Sequence, residues 1–166
     1  SAYDHESRIP LLVHLPTVSE PAVHTEEVYL AQVGATLFEL LALSPPEGVS
    51  DAPLPLPEVD TPGTIVVLVY DALPWARWET TLGTLPNHAA LRATSQEFSL
   101  TRLGHMSSST TVSHAVLATG QTPSKTGIPI NHARTTAGAY VEVFDGDIPD
   151  RLLVPTVADL HDLAHD

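Results

Sequence analysis

The stretch that decides the fold is Thr64-Ile65-Val66-Val67-Leu68-Val69-Tyr70, an unbroken run that ends in Asp71. β-Branched residues dominate it, and such residues favour an extended backbone. It is the longest apolar run in the chain, and it is far shorter than the roughly 20 residues that span a bilayer. The run therefore predicts a β-strand with a carboxylate at its carboxyl end.

Helical signals alternate with further strand signals on the C-terminal side of this run. Pro86-Asn87 introduces one short helix, a Ser/Thr cluster caps a second helix that Gly120 ends, and spaced apolar residues mark a third. This alternation predicts an α/β sandwich with a mainly parallel sheet. The predicted elements are a helix over 85–93, a helix over 112–118 capped by the cluster at 107–111, a strand over 139–144 and a helix over 156–165.

The N-terminal side divides into two parts. Ile9–Leu15 is a short apolar run that reads as a buried strand, and apolar residues at helical spacing over 26–43 predict a helix that Pro45-Pro46 stops. Asp51–Gly63 holds four prolines and little periodicity, which is typical of an extended connector. The predicted organisation is a segment over 1–50, a Pro-rich linker over 51–63 and a segment over 64–166.

Charge and composition exclude several function classes. The 166 residues contain 7 Lys+Arg and 20 Asp+Glu, a net charge of -13 that repels nucleic-acid backbones and anionic lipid surfaces. A small anionic substrate would therefore need a local cation, such as a metal ion. No cysteine is present, which removes disulfides and Cys nucleophiles and leaves the redox compartment open. No signal peptide is visible, and Ser1 in place of Met predicts a processed, trimmed or engineered end.

Three positions have the chemistry of a site. Asp71 follows a strand, where α/β proteins bind ligands, although it also suits a turn. Ser107–Thr111 precede a helix, whose positive end favours an oxygen nucleophile and a bound phosphate, although ordinary capping explains the cluster equally well. Asn131 could donate its amide to a phosphoryl oxygen or could be a turn residue.

The nine histidines give a weaker signal. His161 and His165 are four residues apart on a predicted helix, which is the spacing of two metal ligands on one face. Many solvated helix faces show the same spacing, so a zinc site here is the less favoured of the two interpretations.

Taken in order, these motifs resemble the alkaline phosphatase superfamily, most closely its type I phosphodiesterase/nucleotide pyrophosphatase branch. The specific part of the resemblance lies between Thr110 and Asn131. The segments that carry it are 64–71, Leu85-Pro86-Asn87, Ser109-Thr110-Thr111-Val112-Ser113-His114-Ala115-Val116-Leu117-Ala118-Thr119-Gly120, Pro123-Ser124-Lys125-Thr126-Gly127-Ile128 and Asn131.

The resemblance also covers the first segment, in an unexpected order. Residues 3–13 and 28–49 resemble the C-terminal end of the family domain, yet they precede the part that resembles its N-terminal end. The family's central region, which carries Asp and His metal ligands, has no counterpart, and a C-terminal metal-binding His is also missing. The resemblance therefore implies an incomplete alkaline-phosphatase-like sandwich, rearranged or assembled from pieces of a longer protein.

Carried over by matching motif, Thr110 would be the nucleophile that is transiently phosphorylated, with Thr111 as the fallback nucleophile. Asp71 and Thr110 would be ligands of one of two divalent metal ions, usually zinc, and Asn131 would bind the phosphoryl oxygen. The implied function is a metal-dependent phosphoric-ester hydrolase acting on a small phosphate ester. The alternative is a non-catalytic interaction or structural module of the same fold.

Overall fold

The structure is a computed structural model that describes residues 7–18, 20–49, 52–134, 137–143 and 152–165. Its described residues form eight short strands and six α-helices. The strands are β1 (Arg8–Ile9), β2 (Leu12–Val13), β3 (Ala22–His24), β4 (Val28–Tyr29), β5 (Gln96–Phe98), β6 (Thr101–Arg102), β7 (His132–Arg134) and β8 (Tyr140–Glu142). The helices are α1 (Leu30–Leu40), α2 (Trp75–Thr80), α3 (Pro86–Arg92), α4 (Thr110–Thr119), α5 (Pro123–Thr126) and α6 (Val157–His165), with a 3₁₀ turn at Leu82–Thr84.

Two small sheets are arranged around β5 and β6. The strand orders are β1-β6-β4 and β2-β5-β3, and in each sheet one neighbour is antiparallel and the other parallel. Backbone hydrogen bonds continue the pairing of β5 beyond the ends of β2 and β3. Phe98 N donates to Leu11 O, and Ser99 N donates to His24 O, both at 3.0 Å. Strands β7 and β8 form a separate antiparallel pair.

The predicted α/β class is confirmed, whereas the described residues do not form one mainly parallel sheet. Three of the five strand pairs are antiparallel. The physical reason is that the pairing partners of β5 and β6 come from the N-terminal segment. That segment supplies each of the two central strands with one antiparallel and one parallel neighbour.

The predicted helices are confirmed with small shifts at their ends. Helix α1 begins at Leu30, four residues after the predicted start, because Val28–Tyr29 pair with β6 instead. Helix α4 begins after Ser109 and ends at Gly120, whose φ of 64° is the left-handed cap that glycine favours. Within the described part of the chain, no helix is long and apolar enough to cross a membrane.

The strand predicted over Thr64–Tyr70 is not formed. Residues 64–70 form no regular structure and have no strand partner among the described residues, and most of their side chains are exposed: Val66 is 75% exposed and Leu68 is 71% exposed. A strand needs a neighbour for its backbone groups, and no described segment supplies one. The predicted strand over 139–144 is confirmed for Tyr140–Glu142, while Phe144 lies outside the described residues.

The Pro-rich connector is irregular, as predicted, but its first half packs against the N-terminal segment. Leu54 is buried in a cluster with Val28 and Phe98, and Leu54 N donates to Thr36 Oγ1 at 2.8 Å. This part of the connector is therefore held in the core, whereas most of residues 57–63 are exposed.

Helices α1 and α4 are in direct backbone contact, which fixes the position of α4. A Cβ added at Gly34 of α1 would lie 2.4 Å from Gly120 N and 2.5 Å from Gly120 Cα. Around this contact Leu30, Ala31 and Val116 form one buried cluster with Leu103. The close approach is possible only because position 34 has no side chain.

We expect Gly34→Ala to destabilise the protein by about 1–3 kcal/mol, because the added methyl group meets backbone that cannot rotate away. The measurement is the free energy of unfolding from urea titration followed by circular dichroism. Gly63→Ala is the matched control, since an added Cβ there meets nothing within 4 Å. Equal stability of the two variants would contradict this account of the helix contact.

Candidate functional site

The structure brings together the three site residues that the sequence predicts. The hydroxyl of Thr110 donates toward the carboxylate of Asp71, with Oγ1 3.2 Å from both Oδ1 and Oδ2. The side chain of Asn131 reaches the same helix end, where its Oδ1 accepts a hydrogen bond from Thr111 N at 3.2 Å. Asp71 and Thr110 are exposed, and Asn131 is half-buried.

Asp71 is positioned by the turn that follows the extended segment. Its Oδ1 accepts a hydrogen bond from Ala72 N at 2.9 Å, and Ala72 has a left-handed φ of 53°. Leu73, next in the chain, is buried and anchors the turn before α2 begins at Trp75. The carboxylate is therefore fixed by a local bond on one side and by the Thr110 hydroxyl on the other.

Thr110 is the first residue of α4, so it lies at the positive end of a ten-residue helix. The inner face of this helix is fully buried at Val112, Ala115 and Val116. His114 Nδ1 lies 2.8 Å from the backbone oxygen of Thr110. This last contact follows from the i, i+4 spacing of Thr110 and His114, which is visible in the sequence.

Asn131 lies near the start of α4 because Ile128, three residues before it, is buried against that helix. The chain turns at Gly127, whose φ is 79°, and the next residue, Ile128, packs at 1% exposure against Val112 and Ala115. Val143 N then donates to Asn131 O at 2.8 Å. Twenty residues of sequence separate Asn131 from Thr111, and the packing of Ile128 closes that distance.

Asn131 replaces the missing side-chain cap of α4. Ser109 occupies the N-cap position and makes no side-chain cap bond; its hydroxyl instead pairs with that of Ser107, 2.8 Å away. Oδ1 of Asn131 accepts the bond from Thr111 N. The Nδ2 amide, which is the donor of this side chain, is the group that it can offer to an anion.

Thr111, the fallback nucleophile, takes part through its backbone. Its N–H bonds Asn131, whereas the hydroxyl bonded to Asp71 belongs to Thr110. The hydroxyl that lies beside Asp71 is therefore that of Thr110 and not that of Thr111.

The described residues supply few metal ligands. Asp71 is the one carboxylate bonded to Thr110, and no group of three or more His, Asp or Glu side chains in the described part of the chain lies close enough to hold a metal ion. His161 and His165 face each other with ring centroids 4.4 Å apart, and Asp162 lies 3.8 Å from His161 Nδ1. The side chains of this pair are largely exposed, which agrees with a solvated helix face and not with a zinc site.

Two hollows in the surface lie apart from the Asp71–Thr110–Asn131 group. One is a cavity of about 190 Å³ next to Leu103, Gly104 and His105, and the other is an open groove between the turn at 17–24 and the Pro-rich connector. Neither is lined by a residue of the predicted site. Asp71 and Thr110 lie instead at an exposed helix end.

Comparisons with known proteins add no assignment: no family model, no curated protein and no solved structure matches this chain.

We expect Asn131→Ala to destabilise the protein by about 1 kcal/mol, because α4 then loses its capping oxygen. Asn131→Asp retains an oxygen acceptor and adds a negative charge at the positive helix end, so it should recover part of that loss. Urea unfolding of both variants makes the comparison. A wild-type stability for Asn131→Ala would mean that Asn131 does not cap the helix.

Burial lowers the pKa of His105 below its ordinary value of 6.5, and a bond with the backbone of Ser107 offsets part of this effect. The folded protein therefore binds this proton less readily than the unfolded chain, so stability falls as the pH drops below about 6.5. In His105→Asn the fall should be smaller. Urea midpoints at about pH 7.5 and about pH 5.5 test this, and identical slopes for the variant and the wild type would contradict it.

Proposed function

We propose that this chain carries the nucleophile-bearing part of a metal-dependent phosphoric-ester hydrolase, similar to the phosphodiesterases and nucleotide pyrophosphatases of the alkaline phosphatase superfamily. The observation that supports the proposal best is the hydroxyl of Thr110 lying 3.2 Å from both carboxylate oxygens of Asp71 at the start of a ten-residue helix. The parallel pairs β3–β5 and β4–β6 agree with the fold that the resemblance implies, a sandwich around a mainly parallel sheet, whereas the antiparallel pairs β1–β6 and β2–β5 do not.

Thr110 has the surroundings of an activated oxygen nucleophile. In the proposed reaction, Thr110 Oγ1 attacks phosphorus while its proton passes to the Asp71 carboxylate. The bond from phosphorus to the leaving oxygen breaks, and that oxygen takes the proton that Asp71 accepted. Water then attacks the phospho-threonine, one of its protons returns to Thr110 Oγ1 through Asp71, and phosphate or a phosphate monoester is released.

The start of α4 favours the negative charge of the transferring group. The helix dipole is positive there, and the Nδ2 amide of Asn131 is the side-chain donor at the same end. The protein as a whole carries a charge of -13, which opposes the approach of a phosphate ester. A cation beside Asp71 would offset this repulsion.

The described residues do not complete the two-metal site that the resemblance implies. A zinc ion takes three or four protein ligands, and Asp71 and Thr110 provide two between them. No step of the proposed reaction therefore passes through a metal. The proposal retains two divalent metal ions, zinc by resemblance, and assigns their remaining ligands to polypeptide outside the described residues.

The test is hydrolysis of a p-nitrophenyl phosphodiester and of the corresponding monoester with zinc added, followed by release of nitrophenolate. We expect Thr110→Ala to lower the rate at least about a thousandfold and Asp71→Asn at least about a hundredfold. Thr111→Ala is the matched control, because it removes a neighbouring hydroxyl that does not bond Asp71. Acid-quenched protein should carry the phosphoryl group on Thr110 by mass spectrometry.

Full activity of Thr110→Ala, or an equal loss in Thr111→Ala, would reject Thr110 as the nucleophile. Hydrolysis of neither ester by a protein that contains Thr110 and binds both zinc ions would favour the second candidate, a non-catalytic interaction module of the same fold. The exposed apolar residues of 66–70 are the observation that favours this alternative.

A further inference from the structure

Asp71 follows a segment that belongs to no sheet of the described residues. Residues 64–70 have no strand partner in this part of the chain, so strand pairing does not fix the position of the Asp71 carboxylate. On the C-terminal side of Asp71, Leu73 is buried and anchors the backbone. A second anchor is needed on the N-terminal side, because a segment with few contacts opens readily.

Tyr70, the residue before Asp71, provides a contact on that side. Its hydroxyl oxygen lies 3.1 Å from His88 Nε2, so the phenol and the imidazole share a hydrogen bond. The planes of the two rings are 58° apart, and their centroids are separated by 5.6 Å. The bond connects the end of residues 64–70 to helix α3.

His88 is well held because α3 is attached to the core at two places. The imidazole packs edge-on against Trp78 with centroids 5.8 Å apart, and Trp78 is only 3% exposed. At the other end of α3, Arg92 Nε donates to the buried carboxylate of Glu97 in β5 at 2.8 Å. The position of His88 is therefore set by core packing, although Tyr70 itself is exposed.

From Tyr70 the contacts continue to the candidate site. Asp71 Oδ1 accepts a hydrogen bond from Ala72 N at 2.9 Å, and both carboxylate oxygens lie 3.2 Å from Thr110 Oγ1. Asp71 and Thr110 are exposed, so water competes for each of these bonds. The alignment of the carboxylate with the hydroxyl therefore depends on how firmly the backbone at Asp71 is held.

We propose that Tyr70 and His88 are positioning residues, whose hydrogen bond holds the backbone before Asp71 and so keeps the carboxylate beside Thr110. Both act through Asp71: the phenol bonds the imidazole, and it is the carboxylate that bonds the Thr110 hydroxyl. The structural half of the inference, a held Asp71, requires no catalytic activity. Its catalytic consequence rests on the proposed hydrolase function.

The first measurement is hydrogen exchange of the Ala72 amide by NMR, because that amide bonds Asp71 Oδ1 and reports on the turn. We expect Tyr70→Phe and His88→Leu to speed its exchange about threefold to tenfold, the effect of losing one exposed hydrogen bond. His88→Gln should keep the wild-type rate. Its amide both donates and accepts, so it can replace the imidazole in either tautomer.

Two controls separate positioning from general destabilisation. The Thr111 amide, which bonds Asn131 at the same helix end, should exchange at the wild-type rate in every variant, whereas general unfolding would speed both amides. Tyr140→Phe is the matched substitution, because Tyr140 also stacks on a histidine, His132, but belongs to β8. It should leave the exchange of the Ala72 amide unchanged.

The second measurement is hydrolysis of a p-nitrophenyl phosphodiester by a protein that contains Thr110 and binds both zinc ions. We expect Tyr70→Phe to lower kcat about threefold to tenfold with KM unchanged, because the alignment of the carboxylate affects the chemical step. In the Asp71→Asn background the same change should cause no further loss, because the carboxylate that Tyr70 positions is absent.

Wild-type exchange of the Ala72 amide in Tyr70→Phe would overturn the proposal, and so would equal acceleration of the Thr111 amide. A further loss of kcat when Tyr70→Phe is added to Asp71→Asn would also overturn it, since the two residues would then act independently. If the zinc-bound protein hydrolyses no ester, the proposed function fails, and hydrogen exchange still decides whether Tyr70 holds Asp71. Tyr70→Phe removes one exposed oxygen, so its result stands even if His88→Leu fails to fold.

Discussion

The contact of Gly34 with the backbone of Gly120 is the constraint on which the rest of the structure depends. It lets two helices that lie far apart in the sequence approach to backbone distance, with an added Cβ only 2.4 Å from Gly120 N. Gly120 also ends α4, so a single residue sets both the length of the helix and the point at which it crosses α1. The C-terminal end of α4 is fixed by this contact, and the buried residues along the helix fix its orientation. Thr110, at the N-terminal end, is therefore held at the surface.

The candidate site inherits its geometry from this packing. Ile128 and Val112 share one buried cluster, and through it the loop after α5 brings Asn131 back to the start of α4. Asp71 arrives from a third part of the chain and is held by Ala72 N and by the Thr110 hydroxyl. Three residues from separate segments therefore meet at one helix end. What they lack among the described residues is a full set of metal ligands.

Strand positions were predicted poorly, and particular residues show why. The central strands β5 and β6 contain Gln96, Glu97 and Thr101, which are polar yet buried. Their burial is stabilised by specific partners: Gln96 bonds His24 at 2.9 Å, and Arg92 Nε donates to Glu97 Oε2 at 2.8 Å. Apolar patterning cannot find such strands. The same patterning predicted a strand over residues 64–70. These residues have the composition of a strand but no strand partner among the described residues.

The sequence by itself determined helices α3, α4 and α6, and it identified Asp71, Thr110 and Asn131 as site candidates. Helices can be predicted in this way because their bonds close within four residues and their ends carry local signals, such as Pro86 and Gly120. Only the tertiary structure decided that the three candidates lie together, that the polar strands are central and that residues 64–70 have no strand partner in the described part of the chain. Those outcomes depend on groups far apart in the chain, whose meeting is set by packing and not by local sequence.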